Sequence, residues 1–242
     1  MSGILLARRA GGFKTGIVLP NIGDAWLGGF YAGLMDPTQA GAVPANDANQ
    51  GGKPYALIDL GASAENSSVQ YKTTNDSAPA ACSTVWDGLG ATQAMISAGS
   101  AYPAAQYAAG VTVPSDGASQ AYIPAMWELL ALYWQFKPFT DSNYLTAETG
   151  STFPGGSVTQ GYDPVASPQR PAFTSSVPGQ TNLTAWKTGG AQAFQISYYW
   201  TATEFSAANA WLLYFTTSSP GRLYRYGKFN STRLRLVRRI EL

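Results

Sequence analysis

The stretch Tyr198-Tyr199-Trp200-Thr201-Ala202-Thr203-Glu204, continued by Asn209-Ala210-Trp211 and closed by Arg233-Leu234-Arg235-Leu236-Val237-Arg238-Arg239, decides how this chain is read. Two tryptophans bracket a polar phrase. A run of aromatic and basic residues follows: Arg222, Tyr224, Arg225, Tyr226, Lys228 and Phe229. The end alternates Arg with Leu and Val, as a strand does when one face is buried. Nothing in these forty-five residues carries the marks of catalysis. They read as a display surface supported by buried aromatics, with Trp200 and Trp211 assigned to the core. Glu204 and Asn209 are expected to make hydrogen bonds that hold the connecting loop.

Working outward, 242 residues suffice for one large domain or two small ones. Charged residues make up 12% of the chain, about half the usual share. Gly, Ala, Ser, Thr, Pro and Tyr fill the gap, a mix suited to a loop-rich extracellular or virion protein. The net charge of +1 argues against general nucleic-acid binding. Seven of the fifteen basic residues nevertheless fall between Arg222 and Arg239, where there is no acid. Two readings stay open for Arg233, Arg235, Arg238 and Arg239. Either they alternate outward from a strand and pair with distant acids, or they form a surface for anionic or sugar ligands.

The chain contains no histidine and one cysteine, Cys82. Ser-His-Asp and Cys-His nucleophile systems are therefore excluded, as are an internal disulfide and a Cys/His zinc site. Cys82 is expected to be a small buried hydrophobe. No carboxylate pair stands out for glycoside hydrolysis, and no phosphate-cradling loop or Asp-rich calcium loop is present. No cofactor or metal is expected. No apolar run reaches membrane-spanning length, and the N-terminus lacks the form of a signal peptide. The protein is expected to be made in a host cytoplasm and to leave as part of a particle.

Residues 1–20 read as an attachment or oligomerisation segment or, equally, as the first strand of the main fold, with a candidate strand at Gly16-Ile17-Val18-Leu19 stopped by Pro20. Residues 21–242 read as the main domain. Gly28, Gly29 and Gly33 suggest a bend into a strand. Pro54–Leu60 is a short apolar strand, and Val69-Gln70-Tyr71-Lys72 is a candidate partner for it. Asp87 can cap a helix ending at Gly99, and residues 103–109 form a second helix opened by Pro103. The clearest helix runs from Pro124 to Phe136, with Met126, Leu129, Leu130, Tyr133 and Phe136 on one stripe and Glu128 in its first turns. Residues 138–183 lack periodicity; they are a functional insertion or an irregular cover over the core. Ala185–Phe194 is a weak helix broken at Gly189-Gly190.

The phrase from Tyr199-Trp200 through Thr203-Glu204, Asn209-Ala210-Trp211, the run around Lys228 and Arg233 to Arg238 resembles the ending of a family of C-type-lectin-like domains. That family occurs in phage tail fibres, in bacterial collagen-like adhesins (the Lcl C-terminal domain family) and in surface proteins diversified by retroelements. Looser similarity covers Ile22-Gly23-Asp24 with Gly28–Gly33, then Tyr55–Ile58, and Ala121–Tyr133. The turn Ser218-Ser219-Pro220-Gly221 lengthens the usual connection, and the aromatics and arginines replace the family's small polar residues. The resemblance implies an α+β, C-type-lectin-like fold with short antiparallel strands, two or three helices and long irregular loops. Leu223 matches an apolar anchor of the family and should point inward, so Arg222 and Tyr224 point outward. Arg225–Asn230 should lie in a loop. The same alternation sends Leu213 and Phe215 inward, Leu212 and Tyr214 outward.

The expected ligand-binding set is Tyr214, Arg222, Tyr224, Arg225, Tyr226, Lys228, Phe229 and Asn230. Tyr and Arg give large contact area and planar donors at little entropic cost. The expected function is non-enzymatic recognition of a bacterial surface glycan or protein by a phage tail fibre or tail tip. The alternative is a structural baseplate or fibre adaptor that binds another virion protein. Partners would be that receptor and other tail proteins, within a homotrimer that strengthens weak sites by multivalency. Neither nucleic acid nor membrane insertion is expected.

Overall fold

The computed structural model describes residues 17–146 and 161–242, and the backbone of 152–153 and 156–157. Most of the proposed attachment segment, residues 1–16, lies outside the described residues. The elements in chain order are β1 (Ala25–Trp26), β2 (Gly29–Met35), β3 (Tyr55–Asp59), β4 (Asn66–Gln70), α1 (Gly88–Ser97), α2 (Pro103–Gly110) and α3 (Met126–Phe136). Then come β5 (Thr152–Phe153), β6 (Gly156–Ser157), β7 (Ala166–Ser167), β8 (Ser197–Glu204), β9 (Asn209–Phe215), β10 (Leu223–Gly227), β11 (Ser231–Leu234) and β12 (Val237–Glu241). The chain is mixed α+β, with three helices among the described residues and curled sheets that are antiparallel except at one contact. One sheet has the order β1-β2-β3-β12, with β7 added on β2; the other has the order β10-β9-β8-β11-β4. The exception is β11 against β8, which run parallel.

Local signals explain most elements. Leu27 and Gly28 both have positive φ, 47° and 75°, which turns β1 back onto β2. A Cβ on Gly28 would meet Pro114 Cδ at 2.6 Å, so glycine is required there for space as well as for conformation. The Asp87 carboxylate accepts from Gly90 N–H at 3.1 Å and caps α1. Helix α3 exceeds its expected stripe. Trp127, Ala131 and Leu132 are buried along with Met126, Leu129, Leu130, Tyr133 and Phe136, so the helix is enclosed on nearly every side. It fills the main core between the sheets, against Trp211, Leu213 and Phe215 of β9 and Leu57 of β3. A second core lies under α1 and α2, on the other face of β8 and β9, built on Trp200, Ala202, Ala210 and Leu212.

Three expected elements differ. Ile17–Leu19 form no strand, and Val18 is 61% exposed. Strand β2 is already bordered by β3 on one side and by β1 and β7 on the other. β4 pairs with β11 rather than with β3, because both edges of β3 are taken by β2 and β12. Ala185–Phe194 is not a helix. Only a single 3-10 turn forms at Thr184–Trp186, and the chain then reverses at Gly189 and Gly190, with Gln192 N–H donating to Ala185 O at 2.7 Å. The described part of 138–183 folds irregularly over the core. Val165, Ala166 and Phe173 are buried, and Phe173 packs on Tyr133. Asn143 ties the strap together through Tyr133 Oη, Lys137 Nζ and the carbonyls of Thr174 and Pro178.

The closing Arg/Leu/Val segment is two strands in two sheets. β11 ends at Leu234, residues 235–236 cross over, and β12 begins at Val237. The crossing breaks the alternation, and Arg235 and Arg238 are both wholly buried. Arg235 makes a bidentate pair with Asp59, 2.8 and 3.0 Å, and reaches Glu65 at 3.1 Å. Arg238 pairs with Asp116 at 2.8 Å and donates to the carbonyls of Pro114 and Ser119. Arg239 pairs with Asp87 at 2.8 Å and lies over the rings of Tyr55 and Trp86. Arg233, half-buried, pairs with Glu65. The expectation of outward arginines fails for Arg235 and Arg238, whereas the expectation of pairing with distant acids holds for all four.

Candidate functional site, a tyrosine face on the second sheet

Register across β8, β9 and β10 builds the site. Tyr198 is opposite Tyr214, Trp200 opposite Leu212, and Tyr224 opposite Leu212 from the other side. The Tyr214 amide donates to Arg222 O at 2.9 Å, which puts Arg222 on the same row as Tyr214 and Tyr198. Since alternate residues share a face, Tyr198, Tyr214, Arg222, Tyr224 and Tyr226 lie on one side of the sheet. Their rings form a ladder: Tyr198 to Tyr214 at 4.4 Å between centroids, Tyr214 to Tyr224 at 5.7 Å. Tyr226 leans on Trp200 at 6.1 Å.

Arg222 sits among three rings, with its guanidinium 4.6 Å from the centroid of Tyr224, 4.9 Å from Tyr144 and 5.8 Å from Tyr214. The lengthened turn Ser218–Gly221 brings Tyr144 in, because Tyr144 N–H donates to Pro220 O at 2.8 Å. Gly221, at φ 76°, lies against Tyr133 and Phe173, where a Cβ would come within 2.5 Å of a Phe173 ring carbon. One half of this face is covered by the second core, where Leu212 is buried rather than outward as expected. The other half is open: Tyr198 is 42% exposed and Tyr226 37%, and Tyr214, Arg222 and Tyr224 are half-buried. Ile196, just before β8, is also exposed.

The eight expected site residues thus divide. Tyr214, Arg222, Tyr224 and Tyr226 come together. Arg225, expected in a loop with Tyr226, is on β10, which continues to Gly227. It lies on the opposite face, over the ring of Phe205 at 5.0 Å. Phe229 and Asn230 occupy the turn into β11. Phe229 is exposed, and Asn230 Nδ2 donates to Gly227 O at 3.2 Å. Lys228 is a correction. It is wholly buried, ion-paired with Glu204, and donates to Ala207 O at 2.9 Å and Asp76 O at 3.1 Å. Burial lowers its pKa, opposed by Glu204. Glu204 also accepts from Ala78 N–H at 2.8 Å, so the pair knits three loops together and belongs to the scaffold.

Tyr198 and Tyr144 were not anticipated. Tyr198 had a signal, since it is two residues before Trp200 and shares its face. Tyr144 had none in its own neighbourhood, because only the turn at Pro220 brings it close. Trp200 and Trp211 are both fully buried, as expected. Cys82 is buried, and burial pushes its thiol up to about 12.

Glu128 is also fully enclosed. It accepts from Tyr122 Oη at 2.7 Å, Ala125 N at 2.8 Å, Tyr55 Oη at 2.9 Å and Gly88 N at 3.1 Å. Burial raises its carboxyl to about 7, against the opposing charge of Arg239 and these hydrogen bonds. Its donors all come from the fold, which makes it a clamp between α1, α3 and β3. Among the described residues no cluster of three His, Cys, Asp or Glu side chains could hold a metal ion, and no helix is long and apolar enough to cross a membrane. Comparison with known proteins finds no matching family, no similar curated protein and no similar solved structure.

Proposed function

We propose that the chain is a non-enzymatic receptor-binding protein of a phage tail fibre or tail tip, built on a C-type-lectin-like domain. Its tyrosine face would recognise a bacterial surface glycan or protein. The observation that carries this reading is the open ladder Tyr198-Tyr214-Tyr224-Tyr226 with Arg222 set among the rings. Tyrosines that are exposed or half-buried on one sheet face supply flat apolar faces with hydroxyl tips, which suit the alternating C–H and O–H surfaces of sugars. A guanidinium beside them adds directional donors. The strands beneath are fixed by packing on both sides, so the face is preorganised and little ordering entropy is lost on binding. Each such site is weak, and display on a homotrimeric, virion-borne fibre would multiply it.

The test is to add fluorescently labelled purified protein to candidate host bacteria and then challenge the cells with phage. A receptor-binding protein coats the cells and blocks infection. A structural adaptor, whose face meets another virion protein, leaves the cells bare and infection undiminished. Release of reducing ends from host polysaccharide would instead point to a depolymerase.

A further inference from the structure

We propose that a cleft sharing no residue with the tyrosine face is a second binding site, made for a sugar residue that bears a carboxylate. The cleft, of about 780 Å³, lies between β2, the last turn of α3, the strap 167–171 and the entering segment 19–22. That volume is within the roughly 300–1,000 Å³ typical of small-molecule sites. Its walls are apolar, with Ile22, Leu34, Pro168 and Pro171 among them.

Polar groups converge inside it. Tyr31 is only 6% exposed, yet no protein group among the described residues bonds to its hydroxyl. The residue lines the cleft, so its hydroxyl is available to a ligand there. Arg170 is held through Nη1, which donates to Ala131 O at 3.2 Å and stands 3.7 Å from Asp163 Oδ2, and its guanidinium lies over the Trp134 ring at 5.7 Å. Its Nη2 is left toward the cleft. Gly33, at φ +121°, marks where the donors meet. The Cβ position it leaves vacant lies 3.5 Å from Gln135 Nε2 and 3.6 Å from Arg170 Nη2. Trp134 also lines the cleft, and its ring backs the Arg170 guanidinium.

The chemistry of the ligand follows from this inventory. Donors outnumber acceptors, so the ligand is rich in acceptors. A guanidinium beside a phenol and an amide fits a carboxylate. Asp163 already meets part of the Arg170 charge, which favours a monoanion over a phosphate. Proline and aliphatic walls suit the C–H face of a pyranose, and the Asn21 and Gln169 amides at the rim suit its hydroxyls. A uronic or sialic acid unit combines these features. The inference does not rest on the role proposed for the tyrosine face.

The experiment is calorimetric titration of the full chain with short uronic-acid oligosaccharides and a sialylated trisaccharide, each beside its neutral counterpart. At least one acidic member should bind about tenfold or more tightly than its neutral counterpart, the size of one charge-assisted hydrogen-bond set. Tyr31→Phe combined with Gln135→Ala removes groups the fold does not use. It should weaken that binding about tenfold with an unchanged melting temperature, and Arg170→Gln should abolish it. Tyr224→Ala with Tyr226→Ala should bind the acidic probe as the parent does. The proposal is overturned if no acidic member is preferred over its neutral counterpart. It is also overturned if the Tyr31→Phe, Gln135→Ala protein binds the probe like the parent.

Discussion

Two neighbouring stretches of similar composition, Arg222–Asn230 and Arg233–Arg239, end in opposite environments. In the first, Arg222, Tyr224 and Tyr226 stand on an open sheet face. In the second, Arg235 and Arg238 are wholly buried against Asp59 and Asp116, and Arg239 lies against Asp87. Lys228 belongs with the buried group although it sits in the first stretch. The difference lies in the partners. Each of these four cations meets a carboxylate from elsewhere in the chain, for example Asp59 with Arg235 or Glu204 with Lys228. A cluster of positive charge in a sequence therefore does not make a basic surface.

The comparison can be broken most forcefully at Arg235. Arg235→Ala leaves Asp59 and Glu65 without their shared cation inside the core. Breaking a buried pair in this way costs about 3–5 kcal/mol. At about 2–4 °C per kcal/mol for a chain of this size, the melting temperature should fall by roughly 6–20 °C. An unchanged melting temperature would move Arg235 from scaffold to surface. Lys228→Met should cost somewhat less, about 3 kcal/mol by denaturant titration, because Glu204 keeps the Ala78 amide. Adding Glu204→Gln to that variant should restore part of the loss.

A pH series probes the same buried network from the acid side. Glu128 is raised from 4.5 to about 7 by burial, and Asp163 from 3.8 to about 6 by burial against the pull of Arg170. The folded state then holds protons that the unfolded state releases, so the contribution of these two groups falls as pH rises from about 3.8 to about 7 and is lost above that. For Glu128 the shift corresponds to about 3 kcal/mol. Melting temperatures across this window should decline for the parent and decline less for Glu128→Gln. A rise with pH would contradict the assignment. On the open face the effects on stability should be small: Tyr226→Ala is expected to change it by less than about 1 kcal/mol. Smallest of all, Arg225→Ala should leave surface binding unchanged, since Arg225 lies on the other side of the sheet.

Much of the fold was legible locally. Asp87 and Gly99 bounded α1, Pro103 opened α2, and the stripe from Met126 to Phe136 located α3, because caps and periodicity act within a few residues. Tryptophans 200 and 211 were assigned correctly from their flanking pattern. The illegible parts depend on distant geometry. β4 looked like a partner for β3, but β2 and β12 already held both edges. The closing Arg/Leu/Val run looked like one strand, and only the crossover at residues 235–236 reveals two. Four members of the expected site, Tyr214, Arg222, Tyr224 and Tyr226, share a face because alternation within strands is a local rule. Lys228 was misplaced because its partners are Glu204 and two loop carbonyls, none of them visible from its neighbours. Tyr144 joins the face through a turn seventy-odd residues away.

The proposed division of labour gives host recognition to the tyrosine face and support to the buried cations. Its most direct test measures adherence to host cells and melting temperature together, for the parent and for Tyr224→Ala with Tyr226→Ala. Adherence should be lost, and the melting temperature should move by no more than a few degrees. Retained adherence at full stability, or loss of folding with the two tyrosines, would contradict it.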